Sequence, residues 1–123
     1  MMRVLVVDDE VEFASTLTER LCLRKIKAES VFCGEDVLPA VSRFQPAVII
    51  LDLDMPDITG FELLSRIKVV DPTIEVILLT GHGSFEAGIT GMELGAFDYI
   101  TKPVDLNQLM GKISEAYKKQ KSV

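Results

Sequence analysis

Cysteine is scarce in this chain. Cys22 and Cys33 are the only two in 123 residues. A pair like this supplies neither a disulfide framework nor a metal knuckle, so both read as free thiols in a reducing, cytoplasmic setting, where small apolar-like residues are at home. Long apolar runs are missing too. None approaches the roughly 18–20 residues that cross a bilayer. The N-terminal MMRVLVVDDE has too short an apolar stretch for a signal peptide and leads straight into acids. Positive charge is the third shortage. Thirteen Lys and Arg stand against nineteen Asp and Glu, a net charge of −6. No basic patch is present to meet phosphates, which argues against nucleic-acid binding by this chain itself. Repeats, low-complexity stretches and internal linkers are absent up to KKQKSV at 118–123, which reads as a tail or the start of a linker. The expectation is one domain over 1–123, with enough apolar residues, 48%, to bury a core.

The residues that are present alternate between two patterns. RVLVV at 3–7 is a short, continuous, β-branched run of the kind buried on both faces of a sheet. From Glu10 the spacing turns helical, with Phe13, Leu17 and Leu21 on one face. KAESV at 27–31 alternates and suits a strand nearer the sheet edge. A weak helix opens at Gly34 and includes Val37, Val41 and Phe44. AVIIL at 47–51 and EVILL at 75–79 are further buried strands, and FELLSRIKVV at 61–70 is an amphipathic helix stopping before Asp71-Pro72. A helix over about 84–95, a strand FDYI at 97–100 and a helix at 105–120 with Asp105 as N-cap complete the chain. Five strand–helix alternations predict an open parallel sheet with helices on both faces.

In such sheets ligands sit beyond the carboxyl ends of the strands. After the first strand come Asp8, Asp9 and Glu10; after the third, Asp52 and Asp54; after the fourth, Thr80; after the fifth, Thr101, Lys102 and Pro103. VIILDLDMPD at 48–57 places three carboxylates directly behind a buried run. Gathered carboxylates repel one another unless a cation lies among them. Oxygen ligands beside a lysine suit Mg²⁺ and a phosphate-like group, which predicts a metal-assisted phosphoryl site centred on Asp52. Singly, each residue also has an ordinary reading. Asp8-Asp9 can cap the first helix, Asp52 and Asp54 can form Asx turns, Thr80 can end a strand, Tyr99 can be core, and Lys102 can be solvated. The weight lies in the combination.

Asp8-Asp9, LDLDMPDITG at 51–60, LLTGHG at 78–83 and DYITKP at 98–103, in this order, resemble the receiver domain of two-component response regulators. The resemblance runs element by element over essentially the whole chain. It implies a flavodoxin-like α/β fold, doubly wound, with five parallel strands in the order 2-1-3-4-5 and five helices. It implies that Asp52 is the phosphoacceptor, taking a phosphoryl group from a sensor histidine kinase or a phosphotransfer protein. By the same resemblance Asp9, Asp52 and the backbone carbonyl of Asp54 hold Mg²⁺, for which Mn²⁺ can substitute, and Asp8 acts through metal-bound water. Lys102 is implied to pair with Asp52 and then with the phosphoryl group. Thr80 is implied to donate its hydroxyl to that group while Tyr99 moves inward, reshaping the surface of the fourth helix, fifth strand and fifth helix. The Lys102-Pro103 peptide is expected to be cis. The chain is then a signalling switch with slow self-dephosphorylation, not a turnover enzyme. It would act on an unknown downstream partner, with a phosphorylation-dependent homodimer as one outcome and neither membrane nor nucleic acid as a direct partner.

His82, the single histidine, stands between Gly81 and Gly83 and reads as an exposed loop residue that tunes the phosphoryl lifetime together with Asp54. Gly88 and Gly91 fall inside the fourth helix, each costing about 1 kcal/mol against Ala, which predicts the least stable element there. Two other classes remain open at this point. VIILDLDM also matches the strand-then-DxD start of haloacid-dehalogenase-type phosphatases, although Pro56 stands where that pattern has Thr or Val. An interaction module that keeps the fold but takes no phosphate is the other.

Overall fold

The computed structural model describes residues 2–81 and 85–122. Five parallel strands lie in the order β2-β1-β3-β4-β5: β1 Arg3–Val7, β2 Lys27–Val31, β3 Val48–Asp52, β4 Glu75–Thr80 and β5 Asp98–Thr101. Between and after them run α1 Val11–Leu23, α2 Val37–Phe44, α3 Gly60–Val70, α4 Phe85–Glu93 and α5 Leu106–Lys121. This is the doubly wound flavodoxin-like order expected from the resemblance.

Period-two alternation divides the strands between two cores. Leu5, Val7, Ile49, Leu51, Val76 and Leu78 face the side covered by α2 and α3. Val4, Val6, Val48, Ile50, Ile77 and Leu79 face α1 and α5, meeting Leu17, Leu21, Leu109 and Ile113. β1, β3 and β4 are buried on both faces, which is why they read as unbroken apolar runs. β2 pairs only with β1, and all five of its residues stay partly or wholly exposed.

Differences from the sequence reading are local. The segment at Gly34 begins as a 3₁₀ turn, Gly34–Asp36, before α2 starts at Val37. Thr59 caps α3, its hydroxyl accepting the Glu62 N–H at 3.1 Å, a capping pair absent from the sequence expectations. Asp105 caps α5 as expected, accepting from the N–H groups of Asn107 and Gln108. The N-terminal position of α1 is Glu10 and carries no side-chain cap. Asp8 accepts the Glu10 N–H at 2.9 Å instead, as an Asx turn, so Asp8-Asp9 does not cap the helix.

Candidate functional site

The parallel register carries the strand ends to one edge. Asp8 follows β1 and continues its ladder, donating its N–H to the Val31 carbonyl at 3.2 Å. Asp52 is the last residue of β3. Thr80 is the last of β4, and its carbonyl accepts the Lys102 N–H at 2.8 Å, tying the β5 exit beside it. Asp8, Asp52, Thr80 and Lys102 therefore converge through backbone pairing alone, from sites up to 94 residues apart.

Asp8 and Thr80 are fully buried and Asp52 is only 2% exposed, whereas Asp9 and Asp54 are exposed. Carboxylate oxygens of Asp8, Asp9 and Asp52 all lie within 4.8 Å of one another. The Asp54 N–H donates to Asp52 Oδ1 at 3.2 Å, which seats the Asp54 backbone against the cluster. Burial lifts the Asp52 carboxyl to about 6; the Asp54 N–H pulls the other way, the Asp8 charge raises it further and Lys102 opposes. Lys102 Nζ donates to Asp8 Oδ2 at 3.1 Å and to Glu10 Oε1 at 3.1 Å, and lies 3.7 Å from Asp52 Oδ1. Burial lowers the Lys102 pKa, but Glu10, Asp52 and Asp8 outweigh it, so the ammonium is held above its ordinary value. Its ammonium lies over the Phe13 ring, with Nζ 5.2 Å from the centroid. The Lys102-Pro103 peptide is cis.

Thr80 Oγ1 is buried without a hydrogen-bond partner among the described residues. A buried hydroxyl left without a partner is costly, which makes Thr80 a candidate donor. Tyr99 sits on β5, partly buried against the α2–α3 side of the core. Its ring lies where Gly88 of α4 leaves room, since a Cβ there would come within 2.5 Å of the ring. His82 lies outside the described residues.

The structure also supplies neighbours that sequence reasoning left without a role. Glu10 shares Lys102 with Asp8, and Phe13, read as a helix-face residue, lies beneath that lysine. Asp57 was visible as the third acid of its segment; it turns to the β2–α2 connection. Adjacency of Glu10 to the Asp8-Asp9 pair was the available signal for its part.

A doubly wound sheet with buried carboxylates and a lysine across its strand ends defines an α/β domain whose donors suit a hard cation. Comparison with known proteins gives the family. The response regulator receiver domain model matches residues 4–114, and the chain belongs to that family. It is 36% identical over 126 aligned positions to the DNA-binding transcriptional regulator NtrC of Proteus hauseri, covering 96% of this chain and 26% of that protein. Regulatory protein LuxO of Vibrio cholerae is 30% identical, with 92% of this chain and 25% of LuxO covered. A receiver domain protein from Clostridium thermocellum superposes with a TM-score of 0.93 at 30% identity, covering 98% of both chains. NtrX from Brucella abortus, solved with ADP, gives 0.93 at 28% identity over 98% of this chain and 28% of that one. The chain thus spans about a quarter of the length of NtrC and LuxO. Membership in this family of regulatory domains answers the haloacid-dehalogenase alternative. No helix among the described residues is long and apolar enough to cross a membrane.

Receiver domains bind Mg²⁺ at an acidic pocket, and the donors here fit such an ion. Asp8, Asp9 and Asp52 offer only hard carboxylate oxygens, close enough together to share one cation, and sulfur and imidazole are absent from the group.

Proposed function

We propose that this chain is a phosphoacceptor switch in which Asp52 takes a phosphoryl group from a phosphohistidine. The observation that carries this reading is the setting of Asp52. A carboxylate 2% exposed at a strand end has Lys102 Nζ at 3.7 Å and the unpartnered Thr80 hydroxyl one strand away in the same sheet. In transfer, an Asp52 oxygen attacks phosphorus, an O–P bond forms, and the donor's N–P bond breaks with the electron pair returning to the imidazole. Asp9, Asp52 and the Asp54 carbonyl would hold Mg²⁺, or Mn²⁺ in its place, with Asp8 acting through water, and the ion would supply charge neutralisation. Lys102, already shared among Asp8, Glu10 and Asp52, moves its charge onto a phosphoryl oxygen. Thr80 donates its hydroxyl to another, and Tyr99 follows inward toward the space Thr80 vacates. Altered contacts on α4, β5 and α5 then carry the signal. Attack of water on phosphorus breaks the Asp52 O–P bond and resets the switch, so the domain slowly dephosphorylates itself without acting as a turnover enzyme. In this reading Asp54 and His82 tune that lifetime.

In this reading the chain works in the cytoplasm, and the donor is a sensor histidine kinase or phosphotransfer protein. The recipient is a downstream protein or output domain; homodimerisation on phosphorylation is one form of output. NtrC is named as DNA-binding, and the acidic balance here leaves any such contact to other segments. Intact mass after incubation with Mg²⁺ and acetyl phosphate tests the proposal. One added phosphoryl group in wild type, absent in Asp52→Ala and after chelation, is the expected result; no addition to wild type overturns it.

A further inference from the structure

The loop joining β3 to α3, residues 53–59, carries two acids with different employment. The Asp54 backbone lies against Asp52 through its N–H bond at 3.2 Å. Asp57 directs its carboxylate to the loop between β2 and α2. Its Oδ1 accepts the Gly34 N–H at 3.0 Å and its Oδ2 accepts the Glu35 N–H at 3.1 Å. These donors open the 3₁₀ turn Gly34–Asp36 and have no helical partner of their own. One carboxylate thus bridges two loops 23 residues apart with both oxygens.

The approach is close. A Cβ at position 34 would collide with the Ile58 side chain and lie 3.2 Å from Asp57 Oδ1, so glycine is what lets the loops meet. The Gly34 N–H holds the Asp57 carboxyl below its ordinary range; burial opposes it, and the Glu35 N–H adds to the lowering. At its other margin the 53–59 loop is tied twice. Leu53 N–H bonds to the Leu79 carbonyl at 3.1 Å, and Gly60 N–H returns to the Leu53 carbonyl at 3.2 Å. Gly60 is crowded as well, a Cβ there falling 2.6 Å from Leu53 Cα. Asp54 sits between these ties and the Asp57 bridge.

We infer that Asp57 is a positioning residue of the cation site: by clamping the 53–59 loop to the β2–α2 turn, it fixes the Asp54 backbone beside Asp52. It touches neither cation nor phosphoryl group. The inference takes its site from the phosphoacceptor reading, yet cation binding can be measured without any phosphoryl donor.

The test is Mg²⁺ titration by calorimetry on the unphosphorylated chain, with amide hydrogen exchange on the same samples. Asp57→Ala is expected to weaken Mg²⁺ binding about tenfold, the scale on which residues that orient a metal's ligands act. It should also speed exchange at Gly34, Glu35 and Asp54 together. Asp57→Asn retains one accepting oxygen and should fall between Asp57→Ala and wild type, and it carries the comparison alone if the alanine variant does not fold. Asp36→Ala removes a neighbouring exposed charge and its bond from the Cys33 thiol while leaving both Asp57 bonds in place, and should leave Mg²⁺ affinity close to wild type. If Asp57→Ala matches wild type, or weakens binding no more than Asp36→Ala, Asp57 is merely a cap on the turn and the inference fails. Absence of Mg²⁺ binding in wild type overturns it too. A wild type that binds Mg²⁺ but takes no phosphoryl group from acetyl phosphate would contradict the phosphoacceptor reading while leaving the clamp standing.

Discussion

Asp52 carries opposing demands. Burial disfavours its charge, yet a nucleophile must be ionised, and Lys102 and a bound cation are what reconcile the two. The cost is measurable in the metal-free protein. Its carboxyl is raised from 3.8 to about 6, so the folded chain holds that proton more tightly than the unfolded chain. The stabilisation this gives is complete below pH 3.8 and is lost as pH rises through about 6. Asp52→Asn cannot ionise. In chelator, its stability relative to wild type should therefore improve by up to about 3 kcal/mol between pH 4 and pH 7, taking roughly 1.4 kcal/mol per pKa unit. Urea denaturation of both proteins at the two pH values checks this; a gap independent of pH would contradict it. Most members of the cluster were legible because each follows a strand in the sequence. The contact of Glu10 and Phe13 with Lys102 was not, because it depends on how the first turn of α1 leans over the β5 exit, and spacing does not encode that lean.

Among the elements, strands buried on both faces were the plainest to read, and their observed bounds move by a residue at most. β5 begins at Asp98, where FDYI had suggested Phe97, because the Phe97 N–H already bonds to Val76 outside the regular ladder. The α2 entry was obscure since Asp57, distant in sequence, satisfies the amides that a local cap would otherwise take. The α4 glycines read as destabilising, and the structure shows their use. Gly88 accommodates the Tyr99 ring and Gly91 leaves no space for a Cβ against Leu78. A Cβ on Gly111 of α5, by contrast, would meet nothing within 4 Å. Gly111→Ala should therefore stabilise the fold by about 0.5–1 kcal/mol through helix propensity. Gly91→Ala should destabilise it by about 1–3 kcal/mol through overpacking, despite the same propensity gain. Thermal melts of the two variants read the opposite signs. Hydrogen exchange should find α4 less protected than α1, its exposed Phe85, Ile89 and Met92 marking a lightly buried helix. Equal protection would count against α4 as the element that yields when the site is filled.

For the whole molecule, fold and site are one consequence of topology. A parallel sheet with right-handed crossovers sends every strand end to the same edge, so residues from 8 to 102 meet with no dedicated scaffold. That made the architecture and the acidic cluster readable from the order of motifs. Loop-to-loop bonds such as those of Asp57 were not, since nothing local records which backbone amides a distant carboxylate will reach. Cation binding at the cluster should stabilise the entire domain. At a Mg²⁺ concentration of about 100 times Kd, mass action adds roughly 2.7 kcal/mol and raises Tm by several degrees. Asp9→Asn should lose that gain while melting at or above the wild-type temperature in chelator, because Asp9 is exposed and its charge adds to the repulsion among the gathered carboxylates. Melting curves with Mg²⁺ and with chelator decide between them.

Locating the acceptor atom tests the central claim most directly. After incubation with Mg²⁺ and acetyl phosphate, borohydride reduces an aspartyl phosphate to homoserine, and peptide mass spectrometry reads where it lies. Homoserine at position 52, missing when chelator is present, is the predicted result. Homoserine at Asp8, Asp9 or Asp54 with Asp52 unmodified, or none anywhere, would contradict it.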